Sequence, residues 1–300
     1  MLTPSTETQP VKPESDPAVR RTMIGASDGA AILGLRPYGK TELSVGLEKR
    51  GLLAPADLDN VEVVQFGKLL EAPIAAMYEI STGRGLSCSV GTFRHPDYDF
   101  IGCHPDYFID DENGLVEIKA VNITHPVPYE KRLEWGEEGT DQAPMKFLVQ
   151  CHHQMLVTGR SFVDLTSLIG GRGLCIYRVL RDTSFLDWYT KQLIAFWSDV
   201  VIDGRMPRPV TPGDCKLLYP KDNGAVLDSD TEHEELWRNL MAIRDVKADL
   251  NAQEDDLSVK LREYMGEASV LKCAGQVAAT WRTNKSGNRS FLPKKIMEVE

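Results

Sequence analysis

The sequence predicts an α/β fold, with a mixed central sheet flanked by helices and a mainly helical appendage at the C-terminus. Three observations carry this. From Ser89 to Val121 the chain passes through short strand-like segments (SVGTFRH, DYDFIGCH, PDYFID, LVEIKAV) divided by Pro and Gly turns. Helical periodicity brackets that run, over 62–81 before it and from Pro144 to Gly159 after it. Two further strand patterns, near 162–169 and 173–181, then lead into an amphipathic helix over 186–203.

Taken in order, residues 1–18 are rich in Pro, Ser, Thr and Glu and read as a disordered tail. They have no basic start and no apolar run, so they do not form a secretory signal. Ser27 is placed to cap a short helix carrying Ala30, Ala31, Ile32 and Leu33, which Gly34 closes. In the 62–81 helix the apolar stripe is Phe66, Leu70, Ile74, Met77 and Tyr78, and Pro73 predicts a kink or a broken first half. The stretch 122–143 has no period and reads as a long loop. Leu186, Tyr189, Leu193, Phe196, Trp197 and Val200 share one face of the later helix. The Pro-rich GRMPRPVTPG (204–213) marks a boundary, giving a main domain over 19–213 and an appendage over 214–300. In the appendage, 231–265 reads as a helical hairpin broken near Asn251, and the remainder as two short strands with Lys and Arg at their junction. The chain has no internal repeat.

Composition narrows the class. A hydrophobic fraction of 42% allows a sizeable core, and no stretch approaches the roughly 20 apolar residues of a membrane span. The six cysteines include no CxxC pair, which argues against the usual zinc and iron–sulfur spacings and suits reduced thiols. A soluble cytoplasmic protein without membrane association is the expectation. The net charge of −10 weighs against a nucleic-acid partner, but Asp228–Glu267 alone holds 12 acidic and 5 basic residues, leaving −3 for the rest.

The chemistry lies in LVEIKAV. Strand alternation sends Val116, Ile118 and Ala120 to the core and Glu117 and Lys119 to the other face. A turn centred between Asp111 and Glu112 puts Asp106 opposite Glu117, with Cβ atoms roughly 4.5–5.5 Å apart. Two carboxylates that close repel unless a proton or cation lies between them, and hard oxygen ligands select Mg²⁺ or Mn²⁺. A lysine on the same face completes an apparatus for phosphodiester hydrolysis. On spacing alone the alternative stays open, because an exposed hairpin with a Glu-Lys pair and an opposed Asp is common surface decoration.

Four ordered stretches add specificity: IGASDGAAILG (24–34), FGKLLEAPIAAMYEISTG (66–83), CHPDYFIDDENGLVEIKA (103–120) and VQCHHQMLVTG (149–159). Pro105-Asp106, ten residues, then Glu117-Ile118-Lys119 resembles the PD-(D/E)xK nuclease motif. With its surroundings it resembles the YqaJ-type viral recombinase family, the branch that includes the phage lambda exonuclease, over about 20–210. The resemblance implies a restriction-endonuclease-like core and makes 19–213 a nuclease domain. It implies that Asp106, Glu117 and the Ile118 carbonyl ligate the metal, with Glu71 supporting a site. Two Mg²⁺ ions, or Mn²⁺, would then serve the reaction. Lys119 would orient the attacking water, and Gln150 would hold water or Lys119, with Gln154 as packing. Ser27, with Arg20 or Arg21, matches where the family binds a DNA 5′-phosphate. His104 and His152 depart from the lambda pattern and read as neutral, satisfied histidines. The basic residues Arg282, Lys285, Arg289, Lys294 and Lys295 read as a solvated run. The implied function is 5′-to-3′ exonuclease action on linear double-stranded DNA ends in a bacterial host, leaving 3′ tails for a single-strand annealing protein. A ring-shaped homotrimer is also implied. The alternatives are an endonuclease of the same superfamily and a non-catalytic DNA-binding remnant.

Overall fold

The computed structural model describes residues 17–55, 60–121, 134–170 and 172–294. The expected tail up to residue 16, the part of the expected loop over 122–133, and Lys295 lie outside the described residues. The chain divides into two compact units, Met1–Lys221 and Asp222–Glu300.

The first unit is built on a five-stranded sheet of β1 (Leu86–Cys88), β4 (Tyr107–Ile109), β5 (Gly114–Val121), β6 (Phe162–Ile169) and β7 (Gly173–Leu180), in that order. The short β2 (Phe93–Arg94) and β3 (Gly102–Cys103) pair separately. Only β5 and β6 are parallel within the five strands, so the sheet is mixed as expected. Parallel neighbours need a crossover, and the chain between β5 and β6 supplies the helix α5 (Met145–Thr158). That helix begins after Pro144 and ends at Gly159, whose φ of 72° suits a left-handed cap.

In the β4–β5 hairpin Tyr107 faces Val116 and Phe108 faces Leu115. The turn residues predict this register, in which Asp111 takes the left-handed conformation at φ 59°. The paired residues end at Tyr107 and Val116, so Asp106, just before β4, reaches β5 through its side chain, which accepts from the Ile118 N–H. The alternation of β5 also holds. Val116 and Ile118 pack with Tyr107, Ile109 and the residues Ile74, Ala75 and Tyr78 of α4 (Glu62–Thr82). Leu115 packs on the other face with Phe147, Cys151 and Met155 of α5. The Glu117 face is therefore not a surface, because β5 is a central strand covered on both sides.

Other expectations need correction. Helix α4 runs unbroken through Pro73, and of its predicted stripe Ile74 and Tyr78 are buried while Phe66 and Met77 are exposed. Helix α2 (Ala26–Ile32), which follows α1 (Pro17–Arg21), is capped by Gly25, so Ser27 lies inside the first turn. Helices α3 (Glu42–Lys49) and α6 (Thr183–Phe196) pack beside it, and a π-helical turn over Trp197–Ile202 extends α6. The predicted face of Leu186, Tyr189, Leu193, Phe196 and Val200 is buried there. Gly29 on α2 permits this contact, since a Cβ would come within 1.7 Å of the Tyr189 hydroxyl. Past the Pro-rich stretch, α7 (Pro212–Leu218) still belongs to the first unit, with Asp214 accepting from the Thr41 hydroxyl at 2.7 Å.

The second unit holds α8 (Thr231–Met265), one continuous helix of 35 residues where a hairpin was expected. Asn251 is a weak helix former, but a single such residue costs well under 1 kcal/mol and does not break a long helix. A three-stranded antiparallel sheet follows, of β8 (Val270–Cys273), β9 (Gln276–Thr283) and β10 (Arg289–Pro293). Among the described residues no helix is long and apolar enough to cross a membrane.

Candidate active site

Glu117 sits mid-strand on β5, only 2% exposed, between the sheet and α5. Gln150 and Gln154, four residues apart and thus on one helix face, both reach it. The Gln150 amide donates to Oε1 at 2.6 Å and the Gln154 amide to Oε2 at 2.5 Å. The Lys119 ammonium pairs with Oε1 as well. Asp106 is held from the strand side, accepting from the Ile118 N–H at 2.8 Å. Sequence reasoning gave Gln150 to Lys119 or water and left Gln154 to packing; here both glutamines grip Glu117. Their spacing put both on one face but could not say how far either reaches.

The electrostatics are strained. Burial first, and the Asp106 charge second, push Glu117 up to about 7 against the pull of Lys119. Burial opposes the charge on Lys119, yet Glu117 and Asp106 outweigh it and hold the lysine above its ordinary value. With both acids ionised, two carboxylates and one ammonium leave an excess negative charge around the buried Glu117. Among the described residues no group of three His, Cys, Asp or Glu forms a ready-made metal cage. Two carboxylates with an adjacent backbone carbonyl nonetheless fit Mg²⁺, which keeps several waters and takes one or two carboxylates plus substrate phosphate oxygens. Glu71 is half-buried on α4, one turn before Ile74. That helix covers the Val116 and Ile118 face, so Glu71 belongs to the layer opposite the glutamines.

A cavity of about 450 Å³ adjoins this centre, lined by Arg20, Arg21, Ser27, Tyr38, Lys146 and Gln150 among others. The three residues predicted to bind a terminal phosphate thus meet in one cavity, and Gln150 is common to the cavity and the acid pair. Behind Ser27, Asp28 is buried and paired with Lys49 at 2.6 Å and Lys40 at 2.8 Å. Burial alone would raise Asp28, but the two lysines outweigh it and hold the carboxyl well below the usual range. Lys49 also donates to the Arg20 carbonyl at 2.9 Å, which anchors the arginine-bearing end of α1. Sequence reasoning missed Asp28, Lys40, Lys49, Tyr38 and Lys146. The quoted IGASDGAAILG contains Asp28, but nothing local pairs it with lysines 12 and 21 residues on.

The two departing histidines are accommodated in different ways. His104 Nε2 lies 2.9 Å from the Thr92 hydroxyl. The His152 ring packs on Phe185 at 4.8 Å, and burial lowers its pKa, which favours the neutral form. Its Nδ1 is buried and has no hydrogen-bond partner among the described residues, so this histidine is not fully satisfied.

The YqaJ-like viral recombinase domain matches residues 17–161, a span that contains every predicted site residue from Arg20 to Gln154. Over that span the chain is similar to the YqaJ-like viral recombinase domain. The chain is 28% identical over 270 residues to the uncharacterized protein YqaJ of Bacillus subtilis (strain 168), covering 88% of this chain and 81% of that one. An alignment of that extent runs past Lys221, so the relative shares at least part of the second unit. Among solved structures, the alkaline exonuclease LHK-Exo from Laribacter hongkongensis is similar at 21% identity and a TM-score of 0.48, over 62% of this chain and 91% of that one. A phage-related exonuclease from Haemophilus somnus 129PT is similar at 12% identity and a TM-score of 0.44, over 61% of this chain and 96% of that one.

Proposed function

We propose that this chain is a divalent-metal-dependent deoxyribonuclease that degrades linear duplex DNA 5′-to-3′ and leaves 3′ single-stranded tails for an annealing protein. The observation that carries the reading is the role of Gln150, which holds Glu117 and also lines the cavity bearing Arg20, Arg21 and Ser27. A site for a strand end and a site for hydrolysis are thereby joined.

Asp106, Glu117 and the Ile118 carbonyl would hold Mg²⁺, or Mn²⁺, with Glu71 serving a second ion. Bound there, the metal supplies an acidified water and neutralises charge on the phosphate. Gln150 and Gln154 fix the orientation of Glu117. Lys119, kept protonated by its two acidic neighbours, donates to a phosphate oxygen and stabilises the negative charge that builds there. Arg20 and Arg21, with Ser27 in the first turn of α2, take the terminal 5′-phosphate by charge-assisted hydrogen bonds.

The test compares linear duplex bearing a 5′-phosphate, the same duplex with a 5′-hydroxyl, and closed circular duplex, all with Mg²⁺. Charge-assisted bonds worth about 1.5–3 kcal/mol predict a roughly ten- to hundredfold preference for the phosphate. Circular DNA should resist. Replacing Arg20 and Arg21 together by Ala, or Ser27→Ala, should shrink the preference without abolishing hydrolysis. Equal rates on all three substrates would establish the endonuclease reading instead. The ring-shaped trimer belongs to the same proposal, and light scattering of the purified protein checks it.

A further inference from the structure

Tyr38 stands out at the rim of the cavity. It is 85% exposed, whereas Phe147, the other ring lining the cavity, is buried. A single exposed aromatic is ordinary on a protein surface. Its backbone is not, because Tyr38 has a φ of 52° and Arg36 a φ of 49°, left-handed values that bulky side chains rarely adopt. Strain of this kind persists only where the surroundings impose it. Here they do. Pro37 is buried, Lys40 N–H closes a turn onto the Pro37 carbonyl at 2.9 Å, and the Lys40 ammonium pairs with Asp28 and Glu48 at 2.8 Å each. An ion-pinned turn therefore presents an aromatic ring to solvent at a fixed place.

That place is next to cations. The Lys146 ammonium lies over the Tyr38 ring at 4.3 Å and over the Phe147 ring at 4.9 Å. Lys119 in turn lies over Phe147 at 5.4 Å, so rings and ammonium groups alternate from the rim to the acid pair. Cations that hold a backbone, with an aromatic face for the base, are what single-stranded nucleic acid requires. We propose that Tyr38 is the platform on which the terminal nucleobase of a DNA end stacks while its phosphate occupies the cavity. This deepens the preceding reading and rests on its DNA end, though not on cleavage. It also gives the cavity a preference for an end whose terminal base is present and unpaired.

The test is a binding measurement, with Ca²⁺ in place of Mg²⁺ to spare the probe. Fluorescence anisotropy gives the Kd for 5′-phosphorylated duplexes whose 5′-terminal nucleotide is either intact or abasic. Base–aromatic stacking predicts that Tyr38→Ala weakens binding of the intact end by about five- to a hundredfold, with Tyr38→Phe near wild type. The abasic end should cost the wild type a similar factor, and the two losses should not compound. Tyr38→Gly, which removes the ring and suits the positive φ, should behave like Tyr38→Ala and melt no lower than wild type. Losses that multiply, a Tyr38→Ala protein indistinguishable from wild type, or a wild type blind to the missing base would each overturn the proposal. Cleavage with Mg²⁺ is scored separately: its absence, with the stacking signature intact, would overturn only the nuclease reading.

Discussion

On the proposed reading, Glu117→Gln separates catalysis from stability, because the buried carboxylate that would hold the metal is a burden on the metal-free fold. Burial and the Asp106 charge move Glu117 from 4.5 up to about 7. A carboxyl with a raised folded-state pKa favours folding while protonated, and loses that contribution as pH rises from 4.5 through about 7. At about 1.36 kcal/mol per pKa unit the loss amounts to roughly 3 kcal/mol in metal-free protein above pH 8. Glutamine resembles the protonated acid in shape and charge, so the variant should escape the loss. Near 2–4 °C per kcal/mol for a domain of this size, it should melt about 6–12 °C above the wild type at pH 8.5 in EDTA, with little difference at pH 4.5. Adding Mg²⁺ should raise the wild type and leave the variant almost unmoved, while DNA hydrolysis by the variant falls by several orders of magnitude. Calorimetry at the two pH values, with and without metal, reads the stability; gel assays on linear duplex read the activity. A variant that cleaves at near-normal rate, or one that melts below the wild type at pH 8.5, would refute the reasoning.

Three further outcomes follow from the same geometry. Lys119→Ala should abolish hydrolysis yet still bind metal by titration calorimetry, since both carboxylates remain; loss of metal binding would show the lysine organising them. A chain ending at Lys221 should fold and cleave. One ending at Val210 should be less stable in urea by about 1–3 kcal/mol, because it removes Asp214 and leaves the buried Thr41 hydroxyl without its acceptor; equal stabilities would count against that bond. Burial pushes His153 from 6.5 down to about 4, so its contribution is complete above pH 6.5 and fades as pH falls toward 4, by at most about 3 kcal/mol. Denaturation of wild type and His153→Gln at pH 7 and pH 4.5 checks this, and equal acid losses in both proteins would exclude the histidine as a cause.

The β4–β5 hairpin was readable in advance because its information is local. A turn of Asp, Asn and Gly fixed the register, and alternation along LVEIKAV assigned the faces. Gly159 and Gly34 marked helix ends for the same reason, since a left-handed residue is a property of one position. Ser27 was misplaced as a cap because Gly25, which also tolerates an N-cap, lies two residues away and sequence pattern does not choose between them. What escaped depends on distant partners: Lys40 and Lys49 acquire meaning only through buried Asp28, and Lys146 only through Tyr38. The second face of β5 escaped for a related reason. A charged residue in a strand reads as exposed, and only the helix laid across it by the crossover makes Glu117 a buried acid. The long helix of the second unit shows the opposite error, in which one unfavourable residue was given more weight than the helical residues on both sides of it.

Helix α5 is the shared wall of two compartments, with Lys146, Phe147 and Gln150 on the cavity and Gln150 and Gln154 on the acid pair. Successive residues of a helix are spaced by a fixed rise of about 1.5 Å, so these contacts are marks on a single ruler. Substrate can reorient an arginine, but it cannot change the interval between marks. On the proposed function, a mutation that slides the helix must shift end capture and bond breakage together, whereas one in the turn at 36–40 can retune capture alone.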